Sequence, residues 1–280
     1  MSVSPCTQEA IHDTWQFGLP ACLLHPRTST VTVPDARMAA ILARLACHEV
    51  DGSGTLVLCE LSAELTGASG ASIMLLSAEL ARGSLCSSDG VAGYLDDLQF
   101  TLGEGPSLDA HARGVPVLEP DIGAHSSTRW PALVPLAVRA GIRAVFAFPL
   151  RIGAVRLGAV TLLRDVPGPL DATQYADALA MAVVASRTIL ALQADAPPGA
   201  VAAELEEGAN FHLVVHQAAG MVSIQLAIGV TEALVRLRAH AFLTERSIDD
   251  VSRDIVDRRL RLDGGSHGGP GGATATTVDG

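Results

Sequence analysis

VVHQAAGMVSIQLAIGVTEALVRLRAHAFLTERSIDDVSRDIVDRRLR, residues Val214–Arg261, is the stretch that decides how the C-terminal part of this chain folds. Small and apolar residues recur in it at 3.6-residue spacing in three blocks, the pattern of three amphipathic helices. The first block runs from about 200 to 226 and puts Phe211, Val214, Ala218, Met221, Val222 and Gln225 on one side. Gly220 lies inside it and costs about 1 kcal/mol against alanine, which implies a packing reason for the glycine. Gly229 ends the block as a C-cap would. Thr231 opens the second block, with Leu234, Leu237 and Ala241 inward. Ser247 opens the third, with Asp250 three residues on as in a capping box, and Ile248, Val251, Ile255 and Leu262 form its buried stripe.

The polar faces admit two readings. Glu232, Arg236 and His240 stack at i, i+4 spacing, Asp249 precedes Arg253 by four, and Asp254 precedes Arg258 by four. A solvated face laced with ion pairs, each contributing about 0.2–0.5 kcal/mol, accounts for this. That is the default for exposed helix faces; the sharper reading is arginines forking onto the phosphates of a nucleic-acid groove. Residues 209–262 hold seven arginines against six acids, a balance of +1 in a chain of net charge −11, so this segment is the least acidic part of an acidic protein. That is a faint electrostatic footprint.

The order Q-A-x-G-M, then EALVRLRAHAF, then SIDDVSRDIV resembles the ANTAR domain, an all-α three-helix module with which antitermination regulators grip paired RNA hairpins. The resemblance covers 201–262. It places Ala218, Gly220, Ala233, Leu237 and Ala241 at packing positions, with Arg238 also on the matching pattern. Most of these positions pack rather than bind; the RNA face inferred from the residues is Arg236, Arg238 and His240, helped by Arg246 and Arg253. Members of that family carry a basic residue between the small residues of the first helix; here that residue is Ala219, so one expected cationic contact is missing. A helix-turn-helix reading of the second and third helices, with DNA as partner, is the alternative.

Upstream, the reading is of mixed type. Residues 1–34 form a loose N-terminal segment. Asp35 caps a helix to about 50, and a second runs from about 54 to 65, ended by Gly67. ASIMLLS (71–77) and GSLCSS (83–88) read as strands joined by a turn at Ala81, Arg82 and Gly83. A short helix spans about 106–112 and a strand 115–118. RWPALVPLAVRAGI suggests a helix, and 144–164 two long strands around Gly153. Asp171 caps a further helix. The set predicts an α+β domain over 35–193, an antiparallel sheet with helices on one side. LGEGPSLDA, RWPAL and FAFPLRIGAVRLGAVTLLRDVPGPL resemble GAF domains, ligand-sensing relatives of PAS domains, and a GAF domain followed by ANTAR is a layout of bacterial RNA-binding regulators. The resemblance implies a small-molecule effector held over the sheet, with Met74, Cys86, Phe100, Leu102, Phe146 and Phe148 as candidate lining. Core packing explains the same residues. ADAPPGA makes 194–200 a Pro/Gly hinge, and the Gly-rich tail 263–280 is expected to be disordered.

Composition narrows the classes further. All 19 basic residues are arginine, a coding bias that points to a GC-rich source; the family resemblance implies a bacterial, actinobacterial one. The acidic balance disfavours non-specific binding to nucleic acid or membrane. Five cysteines, an odd number without a C-x-x-C pair, suggest a reduced cytoplasmic protein without a zinc site. No signal-peptide pattern opens the chain. GEGP at Gly103–Pro106 lacks the spacing and lysine of a phosphate loop and reads as a turn with glycine at positive φ. No catalytic motif appears, so no enzyme is expected; reduction of free methionine sulfoxide would need several pocket cysteines, and Cys86 stands alone in the region. His212 and His216 share a helix face, but no third metal ligand is near. The expectation is a cytoplasmic homodimeric regulator, without cofactor, metal or membrane.

Overall fold

The structure, a computed structural model, describes residues 35–49, 55–76, 81–124, 129–194, 212–244 and 246–262. The expected N-terminal segment, the hinge beyond Ala194, Phe211 and the Gly-rich tail lie outside the described residues.

Residues Gly70–Leu76 (β1), Ala81–Ser87 (β2), Val117–Glu119 (β3), Ala144–Ile152 (β4) and Val155–Arg164 (β5) form one antiparallel sheet of order β2-β1-β5-β4-β3. Gly153, at φ +59°, makes the tight β4–β5 turn, as its place between two apolar runs predicts. Gly158 lets β5 lie against β1: a Cβ there would sit 1.9 Å from the Met74 carbonyl oxygen. The turn expected at Ala81–Gly83 is instead the start of β2.

Helices cover both faces of the sheet, not one. Asp35–Glu49 (α1), Leu56–Thr66 (α2) and Ala172–Gln193 (α6) lie on the face that carries Ile73, Leu75, Phe146, Phe148, Val160 and Leu162. Gly90–Leu102 (α3), Pro106–Arg113 (α4) and Leu133–Arg139 (α5) lie on the face of Val145, Ala147, Ala159 and Leu163. The strands show why. A sheet with one wet face alternates apolar and polar residues, whereas β1 is buried at every position and β5 at six in succession, the pattern of a sheet covered twice. Helix α6 is long and apolar enough to cross a membrane, but Ala178, Met181, Val184 and Ile189 are buried in the first core.

Caps sit where side-chain chemistry puts them. Asp171 forms a full capping box with Gln174, and Gly67 ends α2 in the left-handed region. In GEGP, Gly103 and Gly105 have φ of +69° and +143°. Between them Glu104 accepts hydrogen bonds from the amides of Ala132 and Leu133 at 2.8 Å each and so caps α5.

Leu213–Leu226 (α7), Val230–Leu243 (α8) and Ile248–Val256 (α9) form the C-terminal bundle around Val215, Ala218, Val222, Leu234, Leu237, Val251 and Ile255. Ser247 caps α9, accepting from the Asp250 amide at 3.1 Å. The α7–α8 junction differs from expectation. Ala227, not Gly229, takes the left-handed C-cap, at φ +53°, and Gly229 is the extended N-cap of α8. Ser223 compensates at this turn: its hydroxyl donates to the Ile228 carbonyl at 2.6 Å, and its own carbonyl accepts from the Ile228 amide at 3.1 Å.

Gly220 has no packing reason either, since a Cβ there meets nothing within 4 Å. Gly220→Ala should therefore stabilise the chain by about 1 kcal/mol, the helix-propensity difference alone. Chemical denaturation checks this; a destabilised variant would mean that Gly220 makes a contact this structure does not contain.

Candidate functional site

The element that organises the site is α3, whose sequence GVAGYLDDLQFTL is poor in helix formers and carries two glycines. Asp89 starts it: its carboxylate accepts from the amides of Val91 and Ala92 at 2.8 Å each. Gly103 ends it. Ala92, Leu95, Asp96 and Gln99 are buried along α3. Under the helix the sheet offers hydroxyls. Ser72 donates to Asp96 at 2.8 Å, Gln99 accepts from the Ser107 amide at 2.8 Å, and the Ser107 and Thr161 hydroxyls lie 2.6 Å apart. Burial pushes the Asp96 carboxyl up to about 7, against the pull of the Ser84 and Ser72 hydroxyls.

Phe100 belongs to the other end of the molecule. It is fully buried and packs with the core of the C-terminal helices. Its ring stacks on His212 with centroids 3.9 Å apart and planes 8° from parallel, and meets His216 edge-on at 5.9 Å. His212 precedes α7 at φ +45°, a costly conformation for a residue with a Cβ. There its imidazole lies between two carboxylates, with Nε2 3.3 Å from Asp97 of α3 and Nδ1 3.5 Å from Asp249 of α9. Burial opposes its charge, but the two carboxylates outweigh that and push its pKa up to about 9. Hydrogen bonding to His212 holds Asp249 below the usual carboxylate range. The imidazolium thus ties α3 to α9.

Arg238 completes the joint. Its Nη2 donates to the Phe100 carbonyl at 2.6 Å, at the C-terminal end of α3, and its guanidinium carbon lies 5.6 Å from the Phe100 ring centroid. A cation there complements the partial negative charge of the helix end. Gly103 makes room: a Cβ would stand 2.8 Å from Arg238 Nη1. Burial pulls the guanidinium pKa down to about 10, so it stays charged at neutral pH. Among the described residues no carboxylate pairs with Arg238, and its buried Nε has no hydrogen-bond partner.

The five basic residues of the expected RNA face therefore divide. Arg236 and His240 share one flank of α8, and Arg236 is exposed and pairs with Glu232 at 3.4 Å. Arg253 pairs with Asp250 at 3.0 Å and Arg246 with Asp254 at 2.5 Å, both at the surface. Arg238 is two residues from Arg236, about 200° around the helix, and it faces α3. The expected partners also change: Asp249 serves His212 rather than Arg253, and Asp254 holds Arg246 and Arg259 rather than Arg258. At the packing positions Ala218, Ala233, Leu237 and Ala241 are buried, as is Ala219.

The six candidate lining residues do not converge on one pocket. Phe146, Phe148 and Cys86 face α1, α2 and α6. Leu102 packs on the opposite side of the sheet. Met74 is fully buried and next to Ile73 on the strand, so it faces away from that first core. Phe100 has left the sheet for the C-terminal core. Cys86 is not alone: it is disulfide-bonded to Cys59 of α2, with Cα atoms 6.3 Å apart. The expectation of unpaired cysteines is corrected here, because α2 packs across β2 and brings together sulfurs 27 residues apart. No group of three or more His, Cys, Asp or Glu side chains gathers as a metal site among the described residues.

No protein-family model matches this sequence, and no curated protein matches it. Solved structures similar to it include GAF domains. That of a phosphoenolpyruvate-protein phosphotransferase from Coxiella burnetii is 16% identical over 57% of this chain and 96% of its own, with a TM-score of 0.42. The GAF domain of an Acinetobacter phosphoenolpyruvate-protein phosphotransferase is 12% identical over 56% of this chain and 95% of its own, at 0.42. A GAF domain/HD domain protein from Geobacter sulfurreducens is 17% identical over 50% of this chain and 92% of its own, at 0.41.

Proposed function

We propose that this chain is an RNA-binding transcription regulator: a GAF-type sensory domain joined to an ANTAR-type three-helix module that binds paired leader hairpins and prevents terminator formation. The observation that carries the reading is the module itself. The Q-A-x-G-M, EALVRLRAHAF and SIDDVSRDIV segments form three packed helices, with Ala218, Ala233, Leu237 and Ala241 inside and Arg236, Arg246 and Arg253 outside. Their carboxylate partners do not oppose an RNA role. Exposed ion pairs contribute about 0–1 kcal/mol, so a phosphate displaces an aspartate or glutamate at little cost. A small-molecule effector acts on the sensory domain, and homodimerisation presents two modules to two hairpins, raising avidity through effective concentration. On this reading the protein works without a cofactor and in the cytoplasm, a location that the cysteines no longer support because Cys59 and Cys86 are bonded.

The charge of the outward arginines tests this. Arg236→Ala and Arg253→Ala should each weaken binding to a two-hairpin RNA, and each should reduce the slope of log K against log salt by about 0.7–0.9 for the lost phosphate contact. Wild-type affinity and slope in both variants would remove these residues from the interface. Tighter binding to duplex DNA than to hairpin RNA at matched salt would favour a DNA-binding regulator instead.

A further inference from the structure

We propose that α3 of the sensory domain is an autoinhibitory clamp on the C-terminal module, holding Arg238 away from nucleic acid until α3 lets go. The inference rests on the RNA-binding reading above and adds how that site is controlled.

Three contacts make the clamp, all between α3 and the C-terminal helices. Phe100 fills the bundle core and stacks on His212. Asp97 and Asp249 hold the His212 imidazolium from two elements. The Phe100 carbonyl takes Arg238.

Arg238 is the reason to read a clamp rather than a permanent joint. A guanidinium carries five donors and is best satisfied by carboxylate or phosphate. Here it is largely buried, donates to a neutral carbonyl, keeps a buried Nε without a hydrogen bond, and has no carboxylate partner among the described residues. The outward arginines 236, 246 and 253 each have one. A leucine or methionine would fill the space beside Phe100 without the desolvation cost of a cation. An arginine held this way gains in any state where it meets a phosphate. Release costs the Phe100 and His212 contacts, so the closed state is favoured without RNA or effector.

The same helix carries the input. Asp96 and Gln99 lie in the polar cluster above Ser72, Ser107 and Thr161, one residue from Asp97 and Phe100 respectively. A rotation or shift of α3 over the sheet cannot leave the clamp in place. A ligand controls the module only by its differential affinity for the two positions of α3.

The full chain tests the clamp through two mild variants. Asp97→Asn removes one carboxylate from His212 at a half-exposed position, and Phe100→Leu keeps apolar volume but loses the stack. Thermal melts establish that both fold. Hydrogen exchange over residues 212–217 reports release, and titration with a two-hairpin RNA reports affinity. The clamp predicts faster exchange and affinity raised on the order of tenfold in Phe100→Leu, because apparent affinity scales with the open fraction. The gain should vanish when Arg238→Ala is added. Faster exchange with wild-type or weaker RNA affinity overturns the clamp while the RNA reading stands. Absence of RNA binding by wild type and both variants at low salt overturns the RNA reading and the clamp with it.

Discussion

Phe100→Ala should cost about 3–5 kcal/mol, the range for truncating a buried aromatic residue, and the loss should fall on the C-terminal helices rather than on the domain that contributes the residue. Phe100 is fully buried, yet its ring belongs to the core of α7, α8 and α9. Removing it leaves a cavity among Val215, Leu237 and their neighbours, exposes the face of His212, and withdraws the ring beside Arg238. The sheet and its two cores keep their own contacts. Denaturation of the variant, followed by hydrogen exchange, should show α7–α9 opening at lower denaturant than the sheet. A single transition at the wild-type midpoint would mean that Phe100 contributes nothing to the joint.

The joint should also weaken as pH rises from 6.5 to 9. His212 is pushed from 6.5 up to about 9 by Asp249 and Asp97. A group whose pKa is higher in the folded state contributes fully below its unfolded pKa and loses that contribution as pH rises through the folded one. At about 1.4 kcal/mol per pKa unit the loss is about 3 kcal/mol. Asp249, held below 3.8 by His212, runs the other way: its contribution is present above 3.8 and disappears as pH falls through its lowered value. His212 and Asp249 together therefore hold the joint most firmly between about pH 4 and 6.5, while Asp96, raised to about 7, takes stability from α3 as pH rises from about 4 to 7. His212→Gln should flatten the alkaline limb of a stability-against-pH curve. A variant with the wild-type slope from pH 7 to 9 would show that His212 does not carry it.

Most of the strands and the C-terminal helices were legible because local pattern determines them. The runs flanking Gly153 join short apolar stretches rich in Val and Phe to a glycine turn, the pattern of paired strands, and the 3.6-residue recurrence around Leu237 and Val251 with Ser247 as cap is that of helices. What the pattern concealed is tertiary. Helix α3 has glycines at 90 and 93 and adjacent aspartates at 96 and 97, so propensity speaks against it; Asp89 followed by Ala92, Leu95 and Gln99 at helical spacing was the available signal. Phe100 looks like any core aromatic until the C-terminal bundle is seen to enclose it. Arg238 falls at the edge of the apolar stripe in the sequence, about 200° around the helix from Arg236, but nothing in the sequence says that α3 covers that edge. The Cys59–Cys86 bond needed the crossing of α2 over β2.

The most direct measurement is titration of the wild-type chain against a two-hairpin RNA, the same RNA with one hairpin removed, and a duplex DNA, at two salt concentrations. The two-hairpin RNA should bind tightest, removing a hairpin should weaken binding, and higher salt should weaken all binding. Equal affinity for all three nucleic acids, or preference for the duplex, would contradict the RNA-binding reading.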